Sequence, residues 1–306
     1  MDILITVLQR ALIAGTPLLL ATLGEIVTER SGVLNLGVEG MMSIGAVVGF
    51  GVAFTTGHPW LGVMAAVVAG SLYSLIHGLT SVSLRVNQTV SGLALTMLGV
   101  GLSSMWGKPF VGRPLTAKIE KVDIPGLSDI PFLGPILFQQ PPFFYIAIVL
   151  GLFTWIFLYR TIGGIRLRSV GENPKAAESQ GISVAFYRYG AIAIGGAFSG
   201  LAGANLALSY SNSWVEGMVA GRGWIAVALT IFALWNPKRA FIGAFLFGGI
   251  FVLQYILQPL GIAPNLLSML PYVTTLAVLL LDGLRRDKKS LHSPAFLGEP
   301  FKRGER

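Results

Sequence analysis

The chain has 306 residues, 53% of them hydrophobic and only 12% charged, with a mean hydropathy of +0.71; soluble domains carry about 25% charged residues. That balance excludes an ordinary soluble globular domain, and the absence of cysteine excludes disulfides, thiolate metal sites and cysteine nucleophiles. The net charge of +8 is concentrated in residues 160–188 and 285–306, a pattern that fits the basic cytoplasmic loops of a membrane protein better than nucleic-acid binding.

No Asp, Glu, Lys or Arg occurs in residues 40–84, 86–107, 130–159, 189–215 or 240–281. A span needs about 20 apolar residues, so the longest runs hold two spans each. The expected fold is all-α, a polytopic transmembrane bundle of about nine spans (eight to ten). The spans fall near residues 5–25, 38–56, 61–83, 89–106, 142–159, 186–209, 222–236, 240–257 and 264–282. The first is read as a retained span, because Asp2 and Arg10 do not suit a cleaved signal peptide.

After the first span, Glu25, Glu29, Arg30 and Glu39 flank a string with glycines at 32, 37 and 40. Those glycines make a continuous helix costly. The segment is either a solvated loop or a broken helix beside a transport route, with Asn35 and Glu39 offering polar groups. Residues 107–141, rich in Pro and Gly, read as an ordered external loop.

Residues 166–182 form a polar insert between two apolar runs. Asn173 suits an N-cap, Pro174 the first helical position and Gly181 a left-handed stop. This predicts a short rod roughly 10 Å long, at about 1.5 Å per residue. Beyond it, Asn205, Ser209 and Tyr210 are polar at helical spacing near the end of the sixth span. Trp214 and Trp224 could stack on a flat ring, and Glu216 could pair with Arg222 across a turn. Intramembrane Asn205 is the best single candidate for a solute route, since burying an amide without a partner is expensive.

Basic residues set the expected orientation. Arg85, the cluster Arg160–Arg166–Arg168–Lys175–Arg188, the pair Lys238–Arg239 and the group Arg285–Arg286–Lys288–Lys289 all fall on one, cytoplasmic, side. The N-terminus is then outside. Residues 1–285 read as one membrane domain and 286–306 as a basic, disordered cytoplasmic tail. His58, His77 and His292 lack metal-ligand spacing, and no acid–base or phosphate-loop pattern is present. No enzymatic activity and no bound cofactor or metal are expected.

Four strings carry a resemblance to a known family: ERSGVLNLGVEGMM at 29–42, VGENPKAAESQGI at 170–182, VEGMVAGRGWIA at 215–226 and IFALWNP at 231–237. Together, and over residues 10–285, the chain resembles permease subunits of bacterial ABC importers. The closer resemblance is to the nucleoside and simple-sugar group that works with lipoprotein receptors of the basic-membrane-protein type. Ser179-Gln180 and residues 232–235 depart from the group's pattern and leave the subgroup open.

The resemblance implies that residues 166–184 are the coupling segment of a permease, with Glu172, Asn173, Pro174, Ala176, Ala177, Glu178 and Gly181 docking a cytoplasmic ATPase. Small Ala176 and Ala177 would let that partner approach. It implies a multi-pass protein of the bacterial inner membrane, with the coupling segment and C-terminus in the cytoplasm. The implied partners are a second permease, the ATPase (which would use ATP and Mg²⁺), a solute-binding lipoprotein and a small solute; no nucleic-acid polymer is implied. Nucleosides rank first as solute, then monosaccharides, then branched-chain amino acids. Candidates for the solute path are Asn35, Glu39, Asn205, Ser209, Trp214, Glu216 and Arg222. A carrier or channel acting without ATP is the different-class alternative.

Overall fold

In the computed structural model, which describes residues 2–285 and 293–302, the chain is an all-helical bundle. Its helices are α1 (Asp2–Arg30), α2 (Val38–Thr56), α3 (Pro59–Gly78), α4 (Gln88–Gly107), α5 (Pro142–Arg160) and α6 (Ile162–Glu172), followed by α7 (Pro174–Ser179), α8 (Val184–Asn205), α9 (Arg222–Phe232), α10 (Pro237–Leu257), α11 (Pro264–Ser268) and α12 (Leu270–Arg285). Wide π-type turns extend α3 through Ser83 and α8 through Tyr210. Seven helical segments are long and apolar enough to cross a membrane: Leu4–Arg30, Val38–Thr56, Pro59–Ser83, Gln88–Phe110, Pro142–Arg160, Val184–Tyr210 and Pro237–Leu260.

Two of the nine expected spans take another form. The seventh is α9, an 11-residue helix about 16 Å long, roughly half of a 30 Å hydrocarbon layer. It stops because Leu234 and Trp235 adopt left-handed backbone, at φ 52° and 53°. The ninth is divided at Met269 between α11 and α12.

Helix starts differ between the two ends of the bundle. At the end bearing Arg30, Arg85 and Arg160, side chains cap the helices: Asn87 accepts from Val90 N, Thr161 from Gly164 N, Ser183 from Phe186 N and Asn236 from Lys238 N. At the opposite end α3 and α5 begin with Pro59 and Pro142, whose missing N–H removes one orphan donor. The loop over that end is ordered. Its two-residue strands Val122–Asp123 and Gln139–Gln140 pair antiparallel. Gln9 Nε2 donates to the carbonyls of Pro135 and Gln139, at 3.0 and 3.2 Å.

The most buried helices are α1, α2 and α8. Where α2, α3 and α8 cross, Gly45, Gly70 and Gly200 bring backbone against backbone, and a Cβ on any of them would collide with main chain. Dispersion between closely approaching helices is the main adhesive available in lipid, and small residues permit it. The tail departs from expectation. Residues 293–302 are not disordered but fold onto the basic end, because Phe301 finds an apolar cluster and the backbone N–H groups of Ala295, Phe296 and Gly298 find acceptors there. Residues 286–292 lie outside the described residues.

Replacing Gly200 with Val should destabilise the bundle by at least about 2 kcal/mol, the cost of overpacking a rigid contact. A lowered thermal midpoint of the purified protein checks this; an unchanged midpoint would mean that α3 and α8 can part freely.

Candidate functional site

Two interrupted helices meet inside the bundle. The first interruption follows α1. Residues 31–37 double back along it, so that Asn35 Nδ2 donates to Glu25 Oε2 at 3.0 Å, while Asn35 Oδ1 accepts from Gly37 N at 3.0 Å. Helix α2 therefore starts deep in the bundle, with Gly40 against Leu95 and Thr96, halfway along α4. The second interruption is residues 211–221, which run from the end of the α8 extension inward to α9.

Glu39, in the first turn of α2, joins the two. Its Oε1 accepts from Gly221 N at 2.8 Å and its Oε2 from Gly223 N at 2.7 Å. The carboxylate thus takes up free N–H groups at the start of α9, where the helix dipole also favours a negative group. Gly223 is required by the fit, since a Cβ there would lie 2.5 Å from the Glu39 backbone. Arg222 follows the same turn. Its guanidinium lies over the rings of Phe251, at 4.8 Å, and Tyr210, at 5.7 Å, and donates to the carbonyls of Met218 and Val219. The suggested partner Glu216 is instead exposed on the loop.

The other path candidates divide. Asn205 is buried and its Oδ1 has no partner among the described residues. Ser209 is half-buried on the wide turn. Trp214, expected as a stacking platform, is a core residue: it is fully buried, and its ring fills the place a side chain at Gly107 would need. Trp224 is the exposed member of that pair. Asn35 spends its amide on Glu25 and Gly37, which makes it a tie for the turn.

Sequence reasoning assigned no role to the cluster below Asn35. The indole Nε1 of Trp235 donates to Glu29, and Arg30 donates from Nε to the Trp235 carbonyl at 3.1 Å, and from Nη2 to Tyr159 Oη and the Leu234 carbonyl. The signal lay in the sequence, since Glu29 and Trp235 both sit in strings that carried the resemblance. The structure brings all four strings to one place. The 29–42 string touches 215–226 through Glu39, 231–237 through Glu29 and Arg30, and 170–182 through the packing of Gly171 against Arg30 and Gly32.

The polar insert folds as its capping signals predict. Asn173 Oδ1 accepts from Ala176 N at 3.0 Å, Pro174 opens α7, and Gly181 has φ +76°. Pro174 and Ala177 are buried, with Ala177 in an apolar cluster with Val170 and Val184. Glu172, Asn173, Lys175, Ala176, Ser179, Gln180 and Gly181 are exposed, and Glu178 is half-buried. Only Ala176 of the expected alanine pair is thus available to a partner; Ala177 faces inward because it follows the helix repeat from Pro174.

The family described as "branched-chain amino acid transport system / permease component" matches residues 7–279. A putative glucose ABC transporter permease of Haloferax volcanii is 40% identical over 95% of this chain and 95% of its own. A guanosine ABC transporter permease of Bacillus subtilis is 38% identical over 100% of this chain and 99% of its own, and a second guanosine permease of that bacterium is 26% identical over 77% and 70%. A nucleoside ABC transporter permease of Lactococcus lactis is 34% identical over 90% and 91%. No solved structure matches.

Glu39→Ala would leave two buried N–H groups without an acceptor and should lower stability by about 2 kcal/mol or more. Glu39→Gln keeps one acceptor oxygen and should lose less. Thermal unfolding of the two purified variants checks the order; an unchanged midpoint in Glu39→Ala would mean that the contact to α9 contributes nothing.

Proposed function

The chain belongs to the branched-chain amino acid transport permease family and is a multi-pass ABC transporter permease subunit of the cell membrane; from that premise we propose that it imports nucleosides by alternating access. The solute assignment rests on the guanosine permease of Bacillus subtilis, similar over the full length of both chains. A monosaccharide is the second reading, favoured by the likeness to the putative glucose permease of Haloferax volcanii. A carrier working without ATP does not accord with the ABC permeases it resembles.

The observation that carries the mechanism is the meeting of two broken helices at Glu39. Irregular backbone at membrane depth is tolerated where protein covers it or where it lines a cavity, and transporters place solutes at such breaks. The loop 211–221, with Arg222 stacked on Tyr210 and Phe251, forms one wall of the proposed route. Asn205 supplies a buried amide oxygen with no partner among the described residues, suited to an N–H or hydroxyl of the solute. Glu39 holds the wall in place.

Energy enters at the basic end, which we place in the cytoplasm on the positive-inside rule. The exposed face of α7 (Lys175, Ala176, Ser179 and Gln180) would dock a separate ATPase that uses ATP and Mg²⁺. Closure of that ATPase would shift α6 and α7 against the α1–α2 turn. A second permease would complete the bundle, in keeping with the two guanosine permeases of one bacterium, and a receptor lipoprotein would deliver the solute from outside.

Reconstituted with its partner subunits, the transporter should take up radiolabelled guanosine or adenosine only with ATP, and excess unlabelled nucleoside should compete. Glucose uptake without nucleoside uptake would move the chain to the sugar group. Ala176→Arg, on the exposed face of α7, should cut uptake at least about tenfold while leaving the protein folded, as loss of a packed contact at an interface does. Undiminished uptake would remove α7 from the docking surface.

A further inference from the structure

We propose that residues 294–301 of the C-terminal tail are a brace that positions the docking segment, tying α6 and α7 to the α1–α2 turn. The idea rests on the reading of α7 as the ATPase contact. Its structural basis is a set of bonds from eight residues to three separate parts of the bundle. Ala295 N donates to Glu172 Oε2 at 3.2 Å, and Phe296 N to the Gly171 carbonyl at 3.0 Å, which fixes the tail to the end of α6. Gly298 N donates to the Gly32 carbonyl at 3.2 Å, which fixes it to the α1–α2 turn. The Glu299 carbonyl accepts from Arg188 Nη1 at 3.3 Å, on the first turns of α8. Phe301 then packs on the cluster of Val170, Ala177 and Val184.

The tail reaches so close because three glycines meet there. Gly32 and Gly298 both have left-handed backbone, at φ +84° and +83°. A side chain at Gly32 would crowd the Phe296 carbonyl and the Gly171 Cα at 3.2 Å, and one at Gly171 would strike the Arg30 carbonyl. Two turns, closed by Leu297 N to the Pro294 carbonyl and Glu299 N to the Phe296 carbonyl, give the tail its shape.

The tail supports the segment rather than blocking it. It packs where Ala177 and Val170 face inward, and the exposed side chains of Lys175, Ala176, Ser179 and Gln180 remain free for a partner. On the flank toward the α3–α4 turn, the segment borders a cavity of about 360 Å³ whose walls include Val82, Arg85, Ile182 and Phe301. The tail contributes the Phe301 wall of that space. The docked tail also covers Arg188, whose Nε and Nη2 are buried without partners among the described residues. A buried guanidinium so poorly satisfied costs free energy, which offsets part of what the tail's contacts contribute, so loss of docking should loosen the segment without unfolding the bundle.

The test uses the full transporter in nanodiscs, comparing wild type, a chain ending at Ser293, Phe301→Ala and Phe301→Leu. Hydrogen exchange of residues 170–184 should rise about tenfold or more in the truncated chain and in Phe301→Ala, with α2 and the middle of α8 unchanged. Solute transported per ATP hydrolysed should fall several-fold in the same two variants and return in Phe301→Leu. Unchanged exchange would show that the tail holds nothing. Raised exchange with an unchanged transport ratio, or faster transport after truncation, would equally overturn the brace. If the wild-type complex hydrolyses ATP but moves no solute, the functional reading fails by itself, and the exchange measurement still decides whether the tail braces the segment.

Discussion

Polar groups buried in an apolar bundle must find one another, and in this protein they do so at the turn between α1 and α2. Glu25, Glu29, Arg30, Asn35 and Glu39 are all buried. In such surroundings an unpaired carboxylate or guanidinium is far costlier than in water. Three of these side chains commit to partners distant in sequence, while Asn35 and Glu25 bond to each other. Glu39 holds the start of α9, Glu29 holds the Trp235 indole, and Arg30 holds the backbone at 234–235. These ties add direction to the apolar packing of Ile225, Ala226 and Leu229, and fix a helix of 11 residues that is entered and left through irregular backbone.

The bundle thus contains two kinds of contact. Between α2, α3 and α8 the backbones touch through glycine, and such contacts have one close-packed arrangement. Around α9 the apolar packing of Ile225, Ala226 and Leu229 is joined by directional bonds between a few side chains and main-chain groups. Those bonds can be exchanged for others when elements shift, whereas the glycine contacts can only separate. A glycine-packed α2–α3–α8 unit beside an α9 held partly by exchangeable bonds would suit the proposed rocking of one part of the bundle against another.

Hydropathy made most of the membrane helices legible, and capping chemistry made α7 legible to the residue, because both signals are local. The readings that changed depended on distant partners. Residues 222–236 look like a span because nothing in Leu234 or Trp235 announces a left-handed turn; the turn exists because Arg30 and Glu29 bind it. Trp214 looked like an aromatic platform, but Gly107, more than 100 positions away, makes room for it in the core. Ala177 looked like an interface residue, and the helix repeat turns it inward. The tail looked solvated because its composition is polar, yet Phe301 and the glycine at 298 are enough to seat it.

Arg30 is the residue on which these strands of argument converge. Its carbonyl lies against Gly171, at the end of the helix that leads into the proposed docking segment. Its guanidinium holds the carbonyls of Leu234 and Trp235, the two residues in strained left-handed backbone between α9 and α10. Non-glycine residues keep such backbone only where their surroundings over-determine it. A shift of α6 that moved the Arg30 main chain would have to carry the 234–235 turn along or let it relax. Either result would act on the C-terminal end of α9, which the turn follows directly. Arg30 thus links the end of α6 to the strained turn at 234–235, with its main chain against Gly171 and its guanidinium on the two carbonyls.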